Sequence, residues 1–206
     1  MIHDLLLRWI VTALFVLGAI ECGLPILVRR RPWTVVVNHS VHFLMAVAMA
    51  VMAWPWGAQL PTTGPAMFFL LAAIWFTTIG IIAGESFTSR LLYGYHALMM
   101  LATAWMYATM NGPLRPAHSN SPLSTPMPGM DMGAMNEPAS SGAPTWFTIV
   151  NWLGVIIFAA AAAFWAFRCL VERRHATTRF RPLGNLAQAM IAAGMAILFI
   201  AMLFEI

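Results

Sequence analysis

Apolar positions dominate the chain in six long runs, each close to the roughly 20 residues that an α-helix needs to cross a bilayer. The predicted helices cover 5–28, 33–54, 65–84, 91–110, 146–168 and 186–204. Polar breaks between them are short, with one exception. The stretch 111–145 is rich in Pro, Gly, Ser and Met and nearly free of large aliphatics, so it is read as a flexible loop with no core of its own. The six runs use almost the whole sequence. The expected fold is therefore all-α, a polytopic transmembrane bundle of about six helices forming a single integral membrane domain over 1–206.

The polar positions orient this bundle. Arg29, Arg30 and Arg31 follow the first helix, and Arg168, Arg173, Arg174, Arg179 and Arg181 follow the fifth. Arginine-rich loops stay on the cytoplasmic side, so both loops point to the same arrangement, N-out and C-out, with 111–145 outside. Trp33, Trp54, Trp56, Trp105 and Trp146 fall near predicted helix ends, where interfacial aromatic anchors sit.

Composition agrees with a lipid solvent: 61% of residues are hydrophobic and 9% charged, too few to coat a soluble globule of 206 residues. The formal charge of +4 comes from arginines at helix ends, so it signals orientation and no nucleic-acid partner is expected. Every basic residue is arginine, a bias that fits a GC-rich bacterial genome. The expected location is a bacterial plasma membrane. Cys22 and Cys169 lie near cytoplasmic helix ends, a reducing place where no disulfide is expected. The first run is read as a mature helix and not a cleaved leader, because Asp4 weakens a positive n-region and Glu21 precedes Cys22 where a lipobox needs a small residue.

Candidate chemistry gathers on the second and fourth helices. At 100° per residue, His39, His42, Met45, Met49 and Met52 share one arc of roughly 140°. His96, Met99, Met100, Met106 and Met110 fill a similar arc on the fourth helix, together with Thr103. The segments from His42 and from His96 both open with His-x-x-Met, and the two histidines stand 54 residues apart in a partial internal repeat of helices 1–2 and 3–4. Glu21, on the first helix, is expected at a depth similar to that of the histidines. Ionisable groups inside lipid are costly and pair with one another in a protein interior, so Glu21, His39, His42 and His96 form the first candidate site.

The outer loop adds Met127, Met130, Met132 and Met135, four thioethers within nine residues, with His118 upstream. Thioethers favour Cu(I), and imidazole suits copper, zinc or iron. Bland readings stand beside these: methionine is a common apolar filler, and buried Glu and His also serve as hydrogen-bonding links between helices. Asn185 and Gln188 are expected to cap or cross-link the inner end of the sixth helix.

P-loop, H-E-x-x-H, G-x-S-x-G and paired-Cys signatures are absent from the sequence, so the chain is not expected to be an enzyme. Three readings stay open. The first is a protein that binds or transports Cu(I) through the outer Met-rich loop and an intramembrane His/Met site. The second is a haem-binding membrane subunit with His42 and His96 as axial ligands. The third is a non-catalytic membrane scaffold whose partner is another membrane protein or a second copy.

The turn Arg30-Arg31-Pro32-Trp33, the segment from His39 to Pro55, the turn from Gln59 to Pro65 and the segment from Tyr93 to Tyr107 together resemble an actinobacterial, especially mycobacterial, multi-span membrane family catalogued as a domain of unknown function (5134). That resemblance implies a multi-pass plasma-membrane protein and no stated activity. Separately, the stretch from Met127 to Gly133 is similar to Met-rich motifs of extracytoplasmic copper-handling proteins.

Overall fold

Where each apolar run begins and ends is decided by local chemistry at its edges. The computed structural model describes residues 5–28, 33–82, 86–111, 145–175 and 181–204. These form six α-helices: α1 Leu5–Val28, α2 Trp33–Met52, α3 Thr63–Ile82, α4 Phe87–Asn111, α5 Thr145–His175 and α6 Arg181–Phe204. No strand occurs among the described residues.

α2 stops at Met52, two residues before its predicted end, because Pro55 forces the residue before it out of the helical region. Trp54 is accordingly extended, at φ −101° and ψ 147°, and a short 3₁₀ turn over Pro55–Gln59 follows. Gly57 is required in that turn, since a Cβ there would lie 2.2 Å from the Val51 carbonyl oxygen. α4 starts four residues before its predicted start, capped by Ser86, whose Oγ accepts from the Ser89 backbone N–H at 3.2 Å. α5 continues to His175, past the predicted end at 168, and an Arg168–Glu172 pair at 3.3 Å spans one turn of that extension.

Consecutive helices pack as three hairpins, α1 with α2, α3 with α4 and α5 with α6, and α1 also packs along α6. The α1–α6 seam is close because glycine faces a large side chain in both directions. A Cβ on Gly18 would sit 2.7 Å from Ile191, and one on Gly194 would sit 2.8 Å from the Phe15 ring. Between membrane helices such close backbone approach replaces the hydrophobic drive that lipid removes. Polar links add to it: Trp54 Nε1 donates to Thr12 Oγ1 at 3.1 Å, Tyr107 donates to the Ala48 carbonyl at 3.3 Å, and Asn185 Nδ2 donates to Glu172 Oε2 at 2.7 Å. The last of these ties α6 to α5, the cross-linking role expected of Asn185.

Four helices are long and apolar enough on their own to cross a membrane: α1, α3, α5 and α6. The apolar part of α2 is shorter, Val36–Met52, and α4 carries too many polar residues to qualify by composition. The outward faces are apolar as well. Leu6, Leu71, Ile74, Ile156 and Phe167 are all exposed, which suits lipid and not water. The chain is a membrane protein in which α2 and α4, the two helices that do not qualify as spans on their own, contribute His42, His96, Thr103 and four fully buried methionines to the interior.

Candidate functional site: a buried imidazole pair

α2 and α4 bring His42 and His96 face to edge. Their ring centroids are 4.5 Å apart with planes at 77°, and the residues are only 4% and 6% exposed. Phe76 of α3 packs against both rings, at 5.6 Å from His42 and 5.7 Å from His96, and Tyr95 lies 5.7 Å from His96. The histidines therefore sit in an aromatic enclosure built by three helices.

His42 Nδ1 lies 2.8 Å from the Asn38 carbonyl oxygen one turn earlier. A carbonyl only accepts, so Nδ1 carries the proton and Nε2 of the neutral ring presents a lone pair. Hydrogen bonds of this kind fix the tautomer and orientation of an imidazole, in metal sites as elsewhere. Nε2 of His42 and Nδ1 of His96 are both buried without a hydrogen-bond partner. Asn38 Oδ1 on α2 and Gln188 Oε1 on α6 are in the same condition. A buried polar atom without a partner costs about 1–3 kcal/mol, so each needs a reason to be there.

Both methionine stripes turn inward. Met45 and Met49 on α2, and Met99 and Met100 on α4, are fully buried; Met52 and Met106 are nearly so, and Met110 packs half-buried against the same core. Met45 is one turn from His42, and Met99 and Met100 are one turn from His96, spacings that place side chains on one helix face. Thr103 is fully buried and returns its hydroxyl to the Met99 carbonyl at 2.9 Å.

The wider group of four does not form a metal site. Among the described residues, no three of His, Cys, Asp and Glu lie close enough to hold a metal ion, so Glu21 and His39 do not join His42 and His96 in one. Both are half-buried on their own helices. Periodicity fixes which way a side chain faces on its helix and leaves the rotation of neighbouring helices open: α1 packs on α2 and α6, while α4 packs chiefly on α3. His118, Met127, Met130, Met132 and Met135 lie outside the described residues.

The pair also argues against haem. With metal–nitrogen bonds near 2.0 Å, two imidazoles on opposite sides of one iron stand about 6 Å apart centre to centre. At 4.5 Å the two rings stand too close to serve as ligands on opposite sides of one iron.

Two residues gave no sequence signal that was read. Phe76 looks like any apolar residue of α3 until the fold sets it against both imidazoles. Asn151, a lone amide within the apolar run of α5, is 0% exposed; its Oδ1 accepts from Trp105 Nε1 at 3.4 Å, and its Nδ2 has no partner.

Residues 34–202 match the family described as a domain of unknown function (DUF5134), a span that contains both histidines and both methionine stripes. Two mycobacterial relatives, Uncharacterized protein Mb0995 of Mycobacterium bovis and Uncharacterized protein Rv0970 of Mycobacterium tuberculosis, are each 61% identical over 210 residues, covering all of this chain and all of the relative. No solved structure matches the chain.

Proposed function

The chain belongs to the DUF5134 family, whose description assigns no activity, and we propose from its site that it is a multi-pass plasma-membrane protein that binds Cu(I) between His42 and His96 and exchanges it with the outer face. The observation that carries this reading is the pair of buried imidazoles, each with a ring nitrogen lacking any partner. The ligand chemistry favours a soft monovalent ion. Imidazole and thioether are neutral, so a bound Cu(I) brings one positive charge into the bundle and requires no buried carboxylate or thiolate beside it. A structural zinc site takes four ligands from Cys, His, Asp and Glu, and the described residues offer no third. Two nitrogen ligands leave coordination positions for thioether donors, and Met45, Met99 and Met100 are the buried thioethers one turn away.

The Met127, Met130, Met132 and Met135 cluster supplies the second part of the reading. Under the orientation expected from the arginines it stands outside, where weak thioether ligands collect Cu(I) before the firmer imidazole site takes it. No nucleotide-binding signature is present in the sequence, so movement of the ion follows its gradient or a partner protein.

The test is metal content of protein purified in mild detergent after separate challenge with Cu(I) and with zinc. Wild type is expected to retain about one copper and no zinc per chain. H42F/H96L is expected to lose the copper while eluting as the same monodisperse species. Replacing the four loop methionines by leucine is expected to slow loading and leave the final copper content intact. Copper retained equally by H42F/H96L would remove the imidazole pair from the function.

A further inference from the structure

A second feature lies at the turn-side end of the α3–α4 hairpin, on the exposed side of the helices whose buried side carries Phe76 and His96. Thr77, Gly80 and Ile81 of α3 and Arg90 and Gly94 of α4 line a groove of about 260 Å³ that opens outward and is predominantly apolar. Its position follows from the helix ends. α3 finishes at Ile82 and α4 begins at Phe87, so Arg90 stands one turn inside the hairpin end and Gly94 one turn deeper, roughly 6 Å further along the axis. In a membrane this is the level where headgroups give way to hydrocarbon.

The two glycines shape the groove differently. A Cβ on Gly80 would meet the Tyr93 Cβ at 3.0 Å, so there the helices nearly touch and form the floor. A Cβ on Gly94 would meet nothing within 4 Å, which leaves that wall open. Thr77 spends its hydroxyl on the Ala73 carbonyl of its own helix at 2.8 Å, so the deeper part asks for no polar ligand. Arg90 is exposed and carries five N–H donors in a fork that matches two phosphate oxygens and leaves donors for a further neighbour. An apolar slot with a guanidinium at its headgroup end is complementary to an amphiphile whose charge is negative. The volume is below that of a pocket enclosing a whole drug-sized ligand, and suits a phosphate–glycerol unit with the first part of one acyl chain. Basic pockets between transmembrane helices take anionic headgroups for this reason.

We propose that this groove binds one anionic phospholipid, with its phosphate on Arg90 and an acyl chain laid along Gly94, Gly80 and Ile81. The site is independent of copper and stands or falls separately from the imidazole pair.

Native mass spectrometry of the delipidated full chain in detergent tests it, with phosphatidylglycerol, phosphatidylcholine and inorganic phosphate as probes. One phosphatidylglycerol per chain is expected to bind ahead of phosphatidylcholine. R90Q removes the charge and G94F fills the open wall; each is expected to weaken phosphatidylglycerol binding by about fivefold or more. G64F makes the same change at a glycine whose Cβ also meets nothing, at the other end of α3, and is expected to bind as wild type does. R90Q alone decides the matter should G94F aggregate. The proposal is overturned by equal binding of the two lipids to wild type, by wild-type binding in R90Q, or by inorganic phosphate displacing the lipid at equal concentration, which would mark a free-anion site.

Discussion

His42 has its tautomer set by its own helix, through the Nδ1–H that reaches the Asn38 carbonyl, and the cost of this arrangement falls on the nitrogen left over. His96 adds a second unpartnered nitrogen in the same enclosure. Buried acceptors of this kind weaken a fold, and replacing them by apolar groups of similar shape is close to neutral or stabilising. H96L is therefore expected to raise the unfolding midpoint of the metal-free protein, by the equivalent of about 1 kcal/mol, while abolishing copper binding. The check is thermal unfolding in detergent, with and without Cu(I): wild type gains stability on adding the ion and H96L does not. A drop in the metal-free midpoint would mean that the imidazole contributes hydrogen bonding to the bundle, as a plain structural histidine does.

The contacts between helices are set by single small residues, and α5–α6 shows it most directly. Gly154 meets the Phe199 ring so closely that a Cβ would lie 2.7 Å from two of its carbons, while Phe199 stacks on Phe158 at 5.8 Å. G154A is thus expected to destabilise by about 1–3 kcal/mol, by the overpacking mechanism, and G64A at an open position by far less. Denaturation in mixed micelles distinguishes them; equal midpoints would show that the ring moves aside without penalty. The existence and order of the six helices were legible from the apolar runs, because a span of fixed thickness demands a run of fixed length. The inward turn of both methionine stripes was legible too, since their polar members, His39 and His42 on α2 and His96 and Thr103 on α4, have a reason to avoid lipid. The ends of α2 and α4 were legible in principle, from Pro55 and from Ser86, but apolar content outweighed those signals. Relative rotation of helices was not, because periodicity carries no information on which faces meet: Glu21 shares a depth with the histidines without joining them, and Phe76 meets both rings with no sequence feature to mark it.

At the scale of the molecule, the arginines of the loops after α1 and α5 lead to the expectation that all six helices cross the membrane and that both ends of the chain lie outside. A membrane-impermeant thiol reagent applied to intact cells checks this in a background lacking Cys22 and Cys169. S119C, in the long loop, is expected to react, and A176C, between α5 and α6, to react only after the cells are opened. Labelling of A176C in intact cells would invert the whole arrangement and put the methionine cluster on the wrong side for the role given to it. The repeat also acquires a physical sense at this scale. In each of the first two hairpins a lipid-compatible helix, α1 or α3, comes first, and the helix bearing the histidine comes second. In that order each of α2 and α4 would be delivered beside a helix apolar enough to lodge in the bilayer by itself, which would spare its imidazole a stage alone in hydrocarbon. By the same reasoning, a rearranged chain that delivered α4 ahead of α3 would strand His96 at the one moment when nothing else shelters it.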